Sequence, residues 1–136
     1  MNITLYKTIS MIMAIVFGIV GLLFLFASSA ILLFFNSISG PLGFEPSLTG
    51  QNHFFVILAV SYMYLVTLCA LLMNRYPGNP FFPLLLMNGK FASSAVSLGM
   101  FLIEKPLLIY LTNAIVDGCI AVVVFIMYRS LKKTLR

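Results

Sequence analysis

The stretch 80-PFFPLLLMNGKFASSAVSLGMFLIEK-105 decides how this chain is read. From Pro80 to Ile103 its only charged residue is Lys90. The segment is long and apolar enough to cross a bilayer, for which about 20 residues suffice. A lone charge in hydrocarbon costs roughly 3 kcal/mol or more, so Lys90 needs a counter-charge. The search for that partner organises the rest of the sequence.

The whole chain matches the character of this segment. Of 136 residues, 62% are hydrophobic and 8% are charged, with a mean hydropathy of +1.12. A soluble domain carries about a quarter charged residues. The composition describes an all-α integral membrane protein with one domain over 1–136. The net charge is +5, but the basic residues flank apolar runs. They read as topology signals, with the lipid bilayer as partner and no nucleic acid. Cys69 and Cys119 lie in apolar segments without a CxxC or Cys/His cluster, so neither a metal nor a disulfide framework is expected. The methionines are dispersed rather than bunched on one face, as copper binding would need. No cofactor is implied. The N-terminal run resembles a signal peptide, with Lys7 ahead of it and "FASSA" as a cleavage region. Its apolar character continues to Phe35, and it reads as a first transmembrane helix.

Four spans are expected, at about 8–35, 53–74, 80–103 and 106–128, with an outer loop at 36–52. In "RYPGNPFF", Pro77 and Gly78 end the second helix. Asn79 is placed to cap the third, with Pro80 as its first helical residue. Lys105-Pro106 separates helices three and four so tightly that they must form an antiparallel hairpin. Lys7, Arg75, Arg129, Lys132, Lys133 and Arg136 fall on one side of this arrangement and Lys105 on the other. The positive-inside rule then predicts a four-helix bundle with both termini cytoplasmic, and the compactness of the chain fits a bacterial inner membrane. Tyrosine–cation pairs at 6–7, 75–76 and 128–129 have the look of an interfacial belt. In the outer loop, Phe44 and Leu48 are placed to dip into the interface. "FASSA" occurs at 26–30 and again at 91–95; the two copies fall at different depths and read as coincidence between small-residue packing sites.

Counting inward from the belt gives depth. Lys90 is 11 residues beyond Asn79, Asp117 is 11 before Tyr128, Tyr64 is 11 before Arg75, and Gly18 is 11 beyond Lys7. At 1.5 Å per residue each lies roughly 16 Å deep, near the midplane. Lys90 and Asp117 are expected to pair across the hairpin. Helical spacing aligns Lys90, Ser93, Ser94 and Ser97 on helix three and Asn113 with Asp117 on helix four. It also aligns His53, Tyr64 and Thr67 on helix two. Gly18 and Gly21 leave helix one thin at this level.

Two readings of this layer stand side by side. An ion pair with serine neighbours can fix which helix faces which, a registry role that buried pairs are known to play. Intramembrane ionisable residues also mark functional sites by default. On that view Lys90, Asp117, Tyr64, Asn113, Ser93, Ser94 and Ser97 form a pocket for an ion or polar headgroup. His53, at the outer end of helix two, is a solvated interfacial residue or a proton or ligand contact.

No catalytic motif is present. The leading reading is a non-enzymatic membrane module: an accessory or assembly subunit, or a lipid-binding protein, working with another membrane protein or as a homo-oligomer. The alternative is a small proton- or ion-coupled transporter. The fold of small multidrug carriers has four helices too, but their essential acid is on the first helix, which here has none. An enzyme acting on a lipid or quinone ranks third. The four helices, the positively flanked C-terminus and "GKFASS" (89–94) followed by "NAIVDG" (113–118) resemble small DoxX-like bacterial membrane proteins. That resemblance implies an accessory or redox-associated role, although Cys69 and Cys119 do not form a pair that would support redox chemistry of the chain's own.

Overall fold

The computed structural model describes residues 1–47 and 53–134, without the side chains of 53, 54 and 134. Four helices follow one another: α1 (Ile3–Ser39), α2 (His53–Arg75), α3 (Phe81–Ile103) and α4 (Leu108–Thr134). All four are long and apolar enough to cross a membrane. They form two closely packed antiparallel hairpins, α1–α2 and α3–α4, which meet less extensively along α2–α3 and least along α1–α4.

The ends of the helices have local causes. The Asn2 side chain accepts the Thr4 N–H at 3.1 Å and caps α1. Asn79 does the same for Phe81 at 2.9 Å, while Pro80 already has helical angles, as the sequence predicts. The turn after α3 takes only residues 104–107, which fixes the α3–α4 hairpin. Two helices outrun expectation. α1 begins five residues earlier and ends four later than predicted. α4 continues six residues past 128, because its basic end alternates Arg129, Lys132 and Lys133 with the buried Leu131. That pattern is amphipathic and still helical.

The core is concentrated toward the end that carries both termini. Tyr6, Ser10, Ala14, Phe17 and Gly21 form the buried stripe of α1. They meet Val66, Cys69, Ala70 and Met73 of α2, Leu86 of α3, and Val124, Met127 and Leu131 of α4. Spacings of three and four place each set on one helical face. Gly21 allows a close approach between α1 and α2: a Cβ there would stand 3.1 Å from that of Met63. The Asn74 side chain donates to the Lys7 carbonyl at 2.7 Å and ties the same pair together.

At the opposite end, the described part of the long connection forms an ordered strap. Gly43, with φ +76°, turns the chain after α1. Glu45 then pairs with Leu107 and reaches Lys105 at 3.3 Å. The Phe44 ring lies 6.1 Å from that of Phe101. Asn36 grips Ser47 from both sides, donating at 2.9 Å and accepting at 2.7 Å. Leu48 lies outside the described residues.

Within α1, Ala27 leaves helical geometry (φ −131°, ψ 24°). The break falls beside Ser28–Ser29, a setting in which kinks are common. The second "FASSA" copy stays helical within α3. The two copies are therefore structurally unlike.

Candidate functional site

Lys90 and Asp117 meet as the sequence predicts. Lys90 Nζ lies 2.7 Å from Asp117 Oδ1, and both residues are buried, at 3% and 4% exposure. Each stands nine residues into its helix, α3 or α4, and the antiparallel hairpin brings the two together. The ammonium has three donors. One serves Asp117, and the rings of Phe17 and Tyr62 each stand with their centroids 5.0 Å from Nζ. Two aromatic faces and a carboxylate therefore surround the charge, and cation–π attraction is strongest where water is excluded.

The serines zip the same hairpin. Asn113 Nδ2 donates to Ser97 at 2.7 Å and to Ser93 at 3.2 Å. Ser94 donates to the Ala114 carbonyl at 2.6 Å. Gly118 makes room for it, since a Cβ at 118 would stand 3.0 Å from Ser94 Oγ. Ser93, Ser94, Ser97, Asn113, Lys90 and Asp117 thus lie together along the α3–α4 seam.

Tyr64 does not join them. It is 66% exposed on the outer perimeter of α2, while Thr67 donates back to Met63 of its own helix at 2.7 Å. The tyrosine at the site is Tyr62. The two positions are about 200° apart around a helix. Depth alone selects either one, and the phase is set by the packing of Met63, Val66, Ala70 and Met73 against α1. Phe17 was also missed, because an aromatic residue in an apolar helix has no distinguishing mark in sequence. The side chain of His53 lies outside the described residues.

Beyond the ion pair, toward the strap, α1 and α4 stand apart. Between them is a groove of about 470 Å³, within the size range of small-molecule sites. Lys90, Asp117, Tyr62, Ser93, Thr112 and Asn113 are the polar residues on its lining. Its walls are otherwise apolar, from Val16 to Phe35 on α1 and from Ile109 to Ile120 on α4. Val16, Leu23 and Val116 on these walls are each about half exposed, so the groove opens sideways at the perimeter.

One polar atom in this groove is conspicuous. The Tyr62 hydroxyl is buried and has no hydrogen-bond partner among the described residues. It comes near enough to Ser93 to interact without meeting hydrogen-bond geometry. A buried polar group left unpaired costs about 1–3 kcal/mol, so such atoms call for an explanation.

No family model matches the chain, and no curated protein or solved structure does.

Proposed function

We propose that this is a small non-enzymatic integral membrane protein that holds an amphiphilic, lipid-like molecule in the groove between α1 and α4. The supporting observation is the groove itself: apolar walls, a lateral mouth, and a lining that includes the buried ion pair and Tyr62, whose enclosed hydroxyl is unpartnered among the described residues. The perimeter supports a bilayer setting. Phe26, Phe81, Phe91, Leu102 and Ile103 all point outward, and soluble monomers rarely expose apolar surface on that scale. Within a membrane the mouth opens onto acyl chains, which makes hydrocarbon-soluble molecules the available ligands.

Orientation belongs to the same proposal. The excess of lysine and arginine near the termini favours a cytoplasmic location for both, with the strap outside, and the resemblance to DoxX-like proteins suggests a bacterial inner membrane. An accessory role beside a larger membrane protein, as the resemblance to DoxX-like proteins implies, is compatible with ligand holding. A proton- or ion-coupled carrier would need access to Lys90 and Asp117 from both ends. The close packing of Tyr6, Met73, Leu86, Val124 and Leu131 on the terminal side argues against such a path.

The test is extraction of bound lipid from chain purified out of native membrane, followed by mass spectrometry. A stoichiometric amphiphile is expected, and it should be lost from Val20→Phe and Val116→Phe variants, whose added rings fill the groove. An identical lipid profile in the groove-filled variants refutes the proposal. Co-purification in the same experiment reports whether a larger partner accompanies the chain.

A further inference from the structure

We infer that the head of the molecule held in the groove is uncharged and forms hydrogen bonds, as an alcohol or carbonyl does. The inference rests on the groove-binding reading above and specifies its ligand. Two separate observations lead to it.

The first is the charge already in place. The Lys90 ammonium and the Asp117 carboxylate are 2.7 Å apart, and together they are neutral. The ammonium is further enclosed by the rings of Phe17 and Tyr62. An anionic head would either share Lys90 with Asp117, leaving one net negative charge in the site, or draw Lys90 away and leave the carboxylate unpaired. A cationic head would either share Asp117 with Lys90, leaving one net positive charge in the site, or draw Asp117 away and leave the ammonium unpaired. Either way a charge is left uncompensated in an apolar surround, the expensive outcome for a buried pair. An uncharged head leaves the pair intact.

The second is the set of unused hydrogen-bonding atoms. Asp117 engages Lys90 through Oδ1, and no hydrogen bond to Oδ2 is formed among the described residues. The Tyr62 hydroxyl is unpartnered. One acceptor and one donor–acceptor therefore belong to residues that line the groove, the hydroxyl enclosed until the Tyr62 side chain shifts. A ligand hydroxyl can donate to Asp117 Oδ2 and accept from Tyr62; a ligand carbonyl can accept from Tyr62 alone. Location agrees with both observations. The pair lies well inside the helices that the bilayer reading places across the membrane, so an entering head must pass through hydrocarbon, which strongly penalises charge.

The experiment uses the full chain in phosphatidylcholine nanodiscs and tritiated probes sharing one chain length. The uncharged probes are hexadecanol and hexadecyl methyl ketone. The charged ones are hexadecanoate at about pH 9 and hexadecylammonium at about pH 6, where each is ionised. Hexadecanol should bind roughly tenfold tighter than either charged probe, since a misplaced charge is penalised more than a missing contact. Tyr62→Phe removes only the unpartnered hydroxyl and should weaken hexadecanol binding about fivefold without lowering the melting temperature. Tyr64→Phe, on the outer face, should leave binding unchanged. Ketone binding equal to that of the alcohol identifies Tyr62 as the main contact, and a preference for the alcohol adds Asp117. A charged probe that equals or exceeds hexadecanol overturns the inference, as does a Tyr62→Phe variant with unaltered hexadecanol affinity. If no probe binds, the groove-binding reading fails as well; if all bind alike, only the claim about the head fails.

Discussion

The half of the bundle near the termini and the half near the strap are made from the same four helices, yet one is closed and the other open. On the terminal side, Ala14 and Ala70 keep helices close, and Met73, Leu86 and Val124 fill the space between. On the strap side, Val20, Phe24, Ile31 and Phe35 of α1 face Ile109, Thr112, Val116 and Ile120 of α4 across a gap. The strap holds α1 against the α3–α4 turn through Glu45, Phe44 and the Asn36–Ser47 contact. Between these ties the separation runs from just beyond Lys90 and Asp117 to Phe35 and Ile109. Similar apolar content thus yields a core or a cavity, depending on whether small residues let the backbones approach.

The most disruptive way to break this contrast is at the boundary between the halves. Asp117→Leu strands the Lys90 ammonium and should cost about 3–5 kcal/mol of stability, measured by unfolding in mixed micelles. Lys90→Met with Asp117→Leu should recover most of that loss. A double variant no more stable than the single one would show that the pair contributes more than mutual neutralisation.

Next in size is Gly118→Val, which closes a contact already tight. Its Cβ would stand 3.0 Å from Ser94 Oγ, so Ser94 must give up the Ala114 carbonyl or the hairpin must separate. A loss of roughly 1–3 kcal/mol is expected from overpacking, with a lower melting temperature as the readout. The same type of enlargement in the open half should behave differently. Val116→Phe adds bulk to a groove rather than a seam, so stability should change by less than about 1 kcal/mol while the groove-bound molecule is lost. Comparable destabilisation by Gly118→Val and Val116→Phe would remove the distinction between the halves.

The smallest effect is expected at the strap. Glu45 and Lys105 are both largely exposed, so Glu45→Gln should alter stability by no more than about 0.5 kcal/mol. A larger loss in a thermal melt would mean that the pair, rather than the Phe44 and Asn36 contacts, holds α1 in place.

Much of this architecture was legible in the residues. Four apolar runs of spanning length predict four helices, and Asn79, Pro80 and Pro106 mark where helices begin and turn. Lys90 and Asp117 could be paired in advance because a charge surrounded by apolar residues has few possible partners, and the short turn at 104–107 limits the choice further. The serines followed from helical spacing relative to Lys90, and Asn113 from its spacing relative to Asp117. Tyr64 shows where that method stops. The count from the interface offers only a level along the helix, and rotation about the α2 axis is fixed by which face packs against α1. In a helix that is apolar nearly all round, no amphipathic pattern reveals that face.

By itself, then, the sequence determined the number of helices, the sites of the turns and the two charges that must find each other. Each of these depends on local chemistry: chain length against hydrocarbon thickness, the geometry of proline and asparagine at helix ends, and the energy of an isolated charge. Tertiary structure alone decided that Tyr62 and Phe17 enclose Lys90, and that α1 and α4 part to leave a groove. Those outcomes depend on helix rotation and spacing, which are set jointly by side chains far apart in the chain.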